Sequence, residues 1–199
     1  MATVTTLLRI GRGDALMVVD VQNDFLTGGS LAVPRGDEVV PALNRYIALF
    51  EAKGLPICFT RDWHPADHCS FKAQGGPWPP HCIADTQGAG FAPGLKRPAA
   101  AAIVSKATAA SKDAYSGFEG TDLDTRLRAQ HIKRVLVGGL ATDYCVLNTV
   151  RDARRLGYEV ALLSDAIRAV NVEPDDGRKA EAEMQRLGAW AVEFRGIAA

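Results

Sequence analysis

The chain has 199 residues, enough for one domain of ordinary size with about 50 residues left for long loops. Its 23 Lys+Arg balance 23 Asp+Glu and no basic block stands out, so no bulk charge draws it to nucleic acid or anionic lipid. With 47% hydrophobic residues it can bury a core, yet no run approaches the roughly 18 apolar residues of a membrane span. The first residues lack the charged and apolar stretches of a secretion signal, so a cytoplasmic protein is expected.

Residues 1–12 read as an N-terminal extension, and 13–199 as a single domain. Six short runs are almost wholly apolar: 15–20, 56–60, 101–105, 135–138, 160–164 and 191–194. Continuous runs of this length suit strands covered on both faces of a parallel sheet. Between them lie helical patterns. Val40, Leu43, Ile47 and Phe50 recur at three-four spacing before Gly54. Val146, Thr149, Val150, Ala153 and Leu156 repeat it before Gly157, and Ala180, Met184 and Leu187 before Gly188. Strands alternating with helices predict an α/β three-layer sandwich with a mostly parallel, six-stranded sheet. Residues 62–97 break the rhythm. They hold three of the four histidines, two of the three tryptophans and Pro65, Pro77, Pro79, Pro80 and Pro93. A long irregular insert of this kind predicts a functional loop.

In a parallel α/β sheet ligands bind beyond the carboxyl ends of the strands. Asp20 ends the first predicted strand, Asp62 follows the second, Lys106 ends the third and Cys145 follows the fourth. Two carboxylates, an amine and a thiol are thereby delivered to one edge. The four cysteines (Cys58, Cys69, Cys82 and Cys145) form no CxxC pair and are expected to stay reduced. A free cysteine is most often core filler. Cys145, however, opens a helix, where backbone N–H groups favour a thiolate, and Thr142-Asp143 is placed to cap that helix. Gly138, Gly139 and Ala141 give the backbone room to turn, so that N–H groups of Ala141 and Cys145 form a candidate oxyanion hole. His131 falls at the wrong end of its strand to act as base. Asp20 is left for that task, with Lys106 holding charge beside it.

Asp62 and His64 stand two residues apart and point the same way in an extended chain, with His68 and His81 further along the insert. A carboxylate with two histidines suits zinc, iron or manganese with positions open to water. Cys69 and Cys82 are alternative ligands, although their spacing does not recommend them. Phe25, Trp63, Trp78 and Tyr115 are aromatics near these strand ends, fit for a flat ring.

Several motifs, in order, resemble those of nicotinamidases, also called pyrazinamidases, among the isochorismatase-like cysteine hydrolases. They are Asp20-Val21-Gln22-Asn23-Asp24-Phe25, Gly28-Gly29-Ser30-Leu31-Ala32-Val33, Asp62-Trp63-His64-Pro65, Trp78-Pro79-Pro80-His81-Cys82, Lys106, Tyr115-Ser116-Gly117-Phe118-Glu119-Gly120 and Gly138 to Cys145. The resemblance implies a triad of Asp20, Lys106 and Cys145, and one divalent metal, zinc before iron or manganese, on Asp62, His64 and His81. It further implies a pocket of Phe25, Leu31, Trp78 and Tyr115 and a cis peptide between Leu140 and Ala141. The implied reaction is hydrolysis of nicotinamide to nicotinate and ammonia through a cysteine thioester, in NAD salvage, with pyrazinamide as a further substrate. The alternative is a related amidohydrolase acting on another small amide. His68 is left open as a further ligand, a neighbour of the ligands, or neither.

Overall fold

The computed structural model describes residues 7–198. Its element order is β1 (Leu8–Arg9), β2 (Asp14–Val19), α1 (Val39–Ala52), β3 (Ile57–Asp62), β4 (Ala102–Lys106), α2 (Leu123–Ala129), β5 (Arg134–Leu140), α3 (Leu147–Arg155), β6 (Glu159–Arg168), α4 (Asp176–Arg186), β7 (Trp190–Val192) and β8 (Ile197–Ala198). The central sheet has the order β4-β3-β2-β5-β6-β7, and every neighbouring pair is parallel.

The six apolar runs are these six strands. All six residues of β2 are buried, because helices cover both faces. Successive side chains of a strand point to opposite faces. Leu16 and Val18 accordingly enter the core under α1, while Ala15, Met17 and Val19 enter the core shared with α2, α3 and α4. The result is the expected three-layer sandwich. The short edge strand β7 is half open, which suits its place at the sheet's margin.

Several details differ from the sequence reading. α2 breaks no apolar run and buries only Leu123 and Leu127 on its seven residues, so its periodicity is too short to stand out. Thr142-Asp143 does not cap a helix; neither the turn Thr142–Val146 nor α3 has a side-chain cap, and Asp143 bonds elsewhere. Within the N-terminal stretch, Leu8–Arg9 pairs in parallel with Ile197–Ala198, whereas residues 1–6 of the expected extension lie outside the described residues.

The sheet order reverses direction between β2 and β5. Ligands of doubly wound sheets bind at such a switch point, beyond the strands' carboxyl ends. Gly139 permits this meeting of strands. Its φ is +127°, and an added Cβ would overlap the Val19 backbone. Gly139→Ala is expected to cost roughly 2–5 kcal/mol, from a disfavoured φ plus overpacking, read as a lower urea midpoint. An unchanged midpoint would mean the strands meet differently.

Candidate active site

Asp20, Asp62 and Lys106 occupy the carboxyl ends of adjacent strands, so the sheet itself aligns them. Lys106 is 1% exposed. Its Nζ stands 3.0 Å from Asp20 Oδ2 and 3.5 Å from Cys145 Sγ, donates to Asp62 Oδ1, and donates to the Ala114 carbonyl at 3.1 Å. One oxygen each of Asp20 and Asp62 and the Cys145 sulfur lie within 4.8 Å of one another. The four groups that the sequence reading put on one edge therefore meet at one point.

The electrostatics follow from burial. Burial would lower the Lys106 ammonium, but Asp20 and Asp62 overcome that and hold it well above the usual lysine range. Burial raises the Asp20 carboxyl, against the opposing pull of Lys106. Asp20 Oδ1 accepts from Thr60 Oγ1 at 2.6 Å, while Oδ2, although near Lys106 Nζ, has no well-aligned hydrogen bond. A buried oxygen left in this state is poised to take a proton. Burial also pushes the Cys145 thiol well above its ordinary value, with Lys106 opposing and Asp20 and Asp62 reinforcing. Desolvation and the two carboxylates thus favour the thiol form of the sulfur. Desolvation here works against the thiolate that a helix start favours.

The insert folds back on itself beside this cluster. His64 N–H donates to the Cys82 carbonyl at 3.0 Å, and Ala84 N–H to the His64 carbonyl at 2.8 Å, which brings His81 alongside His64. Carbonyl oxygens only accept, so two contacts fix the tautomers: Nδ1–H of His64 donates to Ala107 at 3.2 Å, and Nδ1–H of His81 to Pro79 at 2.8 Å. Each ring keeps its Nε2 lone pair. Burial first, then His81 and His68, lowers His64 to about 3, so it is neutral as a ligand must be. Ligand atoms of Asp62, His64 and His81 lie within 4.8 Å of one another, a donor set that fits a divalent metal. His68 is different. Its Nε2–H donates to the Lys112 carbonyl at 3.2 Å and its Nδ1 accepts from Ser70 Oγ at 2.8 Å, which leaves no lone pair for a metal. Its ring stacks on His64, with centroids 4.2 Å apart. Cys69 and Cys82 are not in the donor set either.

The cleft beside the sulfur is lined by Phe25, Leu31, Val33, Trp78, Tyr115, Tyr144 and Val170. Ala141 and Cys145 line it too, and the Leu140-Ala141 peptide is cis. Trp78 Nε1–H donates to Tyr115 Oη at 2.9 Å, and both rings abut Tyr144. Trp63 packs elsewhere, under the Arg61 guanidinium.

Two supporting residues were not singled out in the sequence. Buried Gln22 accepts from Asp62 N–H and donates to the Asp62 and Ala89 carbonyls, fixing the end of β3. Asp24 accepts from Cys82 N–H at 2.7 Å and from Ser30 N–H at 3.3 Å, tying the loop that bears Leu31 to the residue after His81. The only sequence signal for either is its place in the first motif.

Comparison with known proteins shows the family. The isochorismatase domain model matches residues 14–193. The nicotinamidase of Escherichia coli is 41% identical over 196 residues, covering 88% of this chain and 92% of that protein. The pyrazinamidase of Pyrococcus horikoshii in complex with zinc superposes with a TM-score of 0.88 at 49% identity, over 92% of this chain and 99% of that one. PnC1 from L. infantum in complex with nicotinate gives a TM-score of 0.88 at 33% identity, over 96% of this chain and all of that one (100%). A domain match spanning nearly the whole sequence, with relatives of this similarity, means that the chain belongs to the isochorismatase family.

Proposed function

We propose that the chain hydrolyses nicotinamide to nicotinate and ammonia, with Cys145 as nucleophile, Asp20 as general base and acid, and Lys106 as the group that holds their charges. The observation that carries this reading is the position of Lys106 Nζ, against two carboxylates and 3.5 Å from the Cys145 sulfur, at the floor of an aromatic cleft. The relatives named above act on or bind pyridine and pyrazine compounds, which suits a cleft with Phe25, Trp78 and Tyr115 in its wall.

The chemistry follows from the protonation states. Asp20 Oδ2 takes the thiol proton as the Cys145 sulfur attacks the carboxamide carbon. Backbone N–H groups of Ala141 and Cys145 stabilise the oxygen that becomes negative. The carbon–nitrogen bond breaks as Asp20 returns the proton to the leaving nitrogen, and ammonia departs. A water molecule then attacks the thioester. Asp20 accepts its proton, the carbon–sulfur bond breaks, and the sulfur recovers a proton as nicotinate leaves. Lys106 stays charged throughout and keeps Asp20 in place. The three-residue set Asp62, His64 and His81 would hold a divalent metal, zinc first among candidates, which supplies an electrophilic anchor for the ring nitrogen. The chain's own part is to present two Nε2 lone pairs and one carboxylate, with His68 stacked behind His64.

Ammonia release from nicotinamide, measured beside pyrazinamide and aliphatic amides, tests the reading; release only from aliphatic amides would overturn it. Chelation is expected to raise KM for nicotinamide at least tenfold, and added metal to restore it. His64→Ala and His81→Ala are each expected to lose the bound metal. His68→Phe, which keeps a stacked ring, should retain one metal per chain by elemental analysis. Loss of metal in His68→Phe would make His68 a ligand after all.

A further inference from the structure

The segment that follows β6 carries part of the cleft wall, and the hydrolytic steps leave its support unexplained. Sheet pairing between β5 and β6 ends at Leu140 and Arg168. The wall residue Val170 lies two positions beyond, outside the ladder. One carboxylate reaches it. Asp143 Oδ1 accepts the Val170 N–H at 2.9 Å and Oδ2 accepts the Asn171 N–H at 2.8 Å. Asn171 is left-handed, with φ of +54°, and its side-chain oxygen accepts the Gly177 N–H at 2.8 Å near the start of α4. Asp143 itself sits two residues before Cys145, in the same turn. A single side chain thus joins the turn that bears the sulfur to a wall of the cleft. Bonds of this kind, from N–H to an ionised acceptor, are stronger than neutral ones and fix direction as well as distance.

We propose that Asp143 is a positioning residue whose carboxylate clasps the Val170 and Asn171 amides, fixes Val170 as a wall of the cleft, and so sets which ring substituents the site accepts. The substrate part of this statement rests on the nicotinamide reading; the clasp does not. A side chain that only capped the nucleophile's turn would bond to N–H groups of that turn, and Asp143 bonds to neither the turn nor α3.

The test uses the metal-loaded protein, Asp143→Asn, Asp143→Ala, Val170→Ala and the Asp143→Ala/Val170→Ala double variant. Ammonia release is followed with nicotinamide and a set of ring-methylated nicotinamides. Asp143→Ala is expected to raise KM for nicotinamide about tenfold, with a smaller change in kcat, and to narrow discrimination against at least one methylated amide. Val170→Ala should narrow discrimination against the same amide. The double variant should add little to either, because both changes remove one wall. A uniform fall in kcat for all amides with ratios unchanged would overturn the proposal, as would independent, additive effects. Amide hydrogen exchange gives a reading free of activity: Val170 and Asn171 should exchange at least tenfold faster in Asp143→Asn than in the parent. Unchanged exchange would disprove the clasp even if the protein does not hydrolyse nicotinamide, while absence of wild-type turnover with fast exchange would disprove only the substrate reading.

Discussion

Replacing Cys145 with alanine is expected to lower ammonia release from nicotinamide by roughly 10⁴-fold or more, as removal of a nucleophile does elsewhere. The fold should survive, since only one buried sulfur is lost and the carboxylates and Lys106 keep one another as partners. Ligand binding should persist for the same reason, because the aromatic wall and the metal-ligand set are untouched. Isothermal titration with nicotinate checks that part. A variant that neither binds nor turns over would point to a structural role for the sulfur.

Lys106→Met should produce a large loss of stability. The side chain is fully buried, and removing it strands Asp20 and Asp62 without a cation. Breaking a buried ion network by removing one partner costs roughly 3–5 kcal/mol. At about 2–4 °C per kcal/mol for a chain of this size, the melting temperature should fall by roughly 6–20 °C. The deficit has a definite pH dependence. Burial already raises Asp20, and Lys106 is what opposes that rise. In the variant the folded carboxyl therefore titrates still higher than in the unfolded chain. Stability tied to such a group is present below the unfolded value and lost as pH rises through the folded one. The variant should thus approach the parent in stability as pH falls toward about 4 and diverge from it toward neutrality. A deficit that grows on acidification would contradict this account of the cluster.

The sheet was legible because β2, β3 and β5 are buried on both faces and carry apolar runs such as that of Ala15–Val19. The strand ends then placed Asp20, Asp62, Lys106 and Cys145 on one edge without any knowledge of distances. What stayed hidden depends on contacts between distant parts of the chain. The tautomer of His68 is set by the carbonyl of Lys112, 44 residues away. Asp143 looked like a cap because its neighbours form a helix start, yet its oxygens are claimed by amides 27 and 28 residues further on. Gln22 serves β3 from the loop after β2. The balance at Cys145 is likewise a matter of surroundings: a helix start favours the thiolate, and full burial beside two carboxylates works against it.

The central claim is a covalent bond between the substrate's carbonyl carbon and one sulfur. Acid-quenched single turnover of nicotinamide, followed by peptide mass spectrometry, tests it most directly. A nicotinoyl group on Cys145, appearing before nicotinate and decaying with it, is the predicted result. The acyl group on any other residue, or nicotinate forming in full with no residue ever acylated, would contradict it.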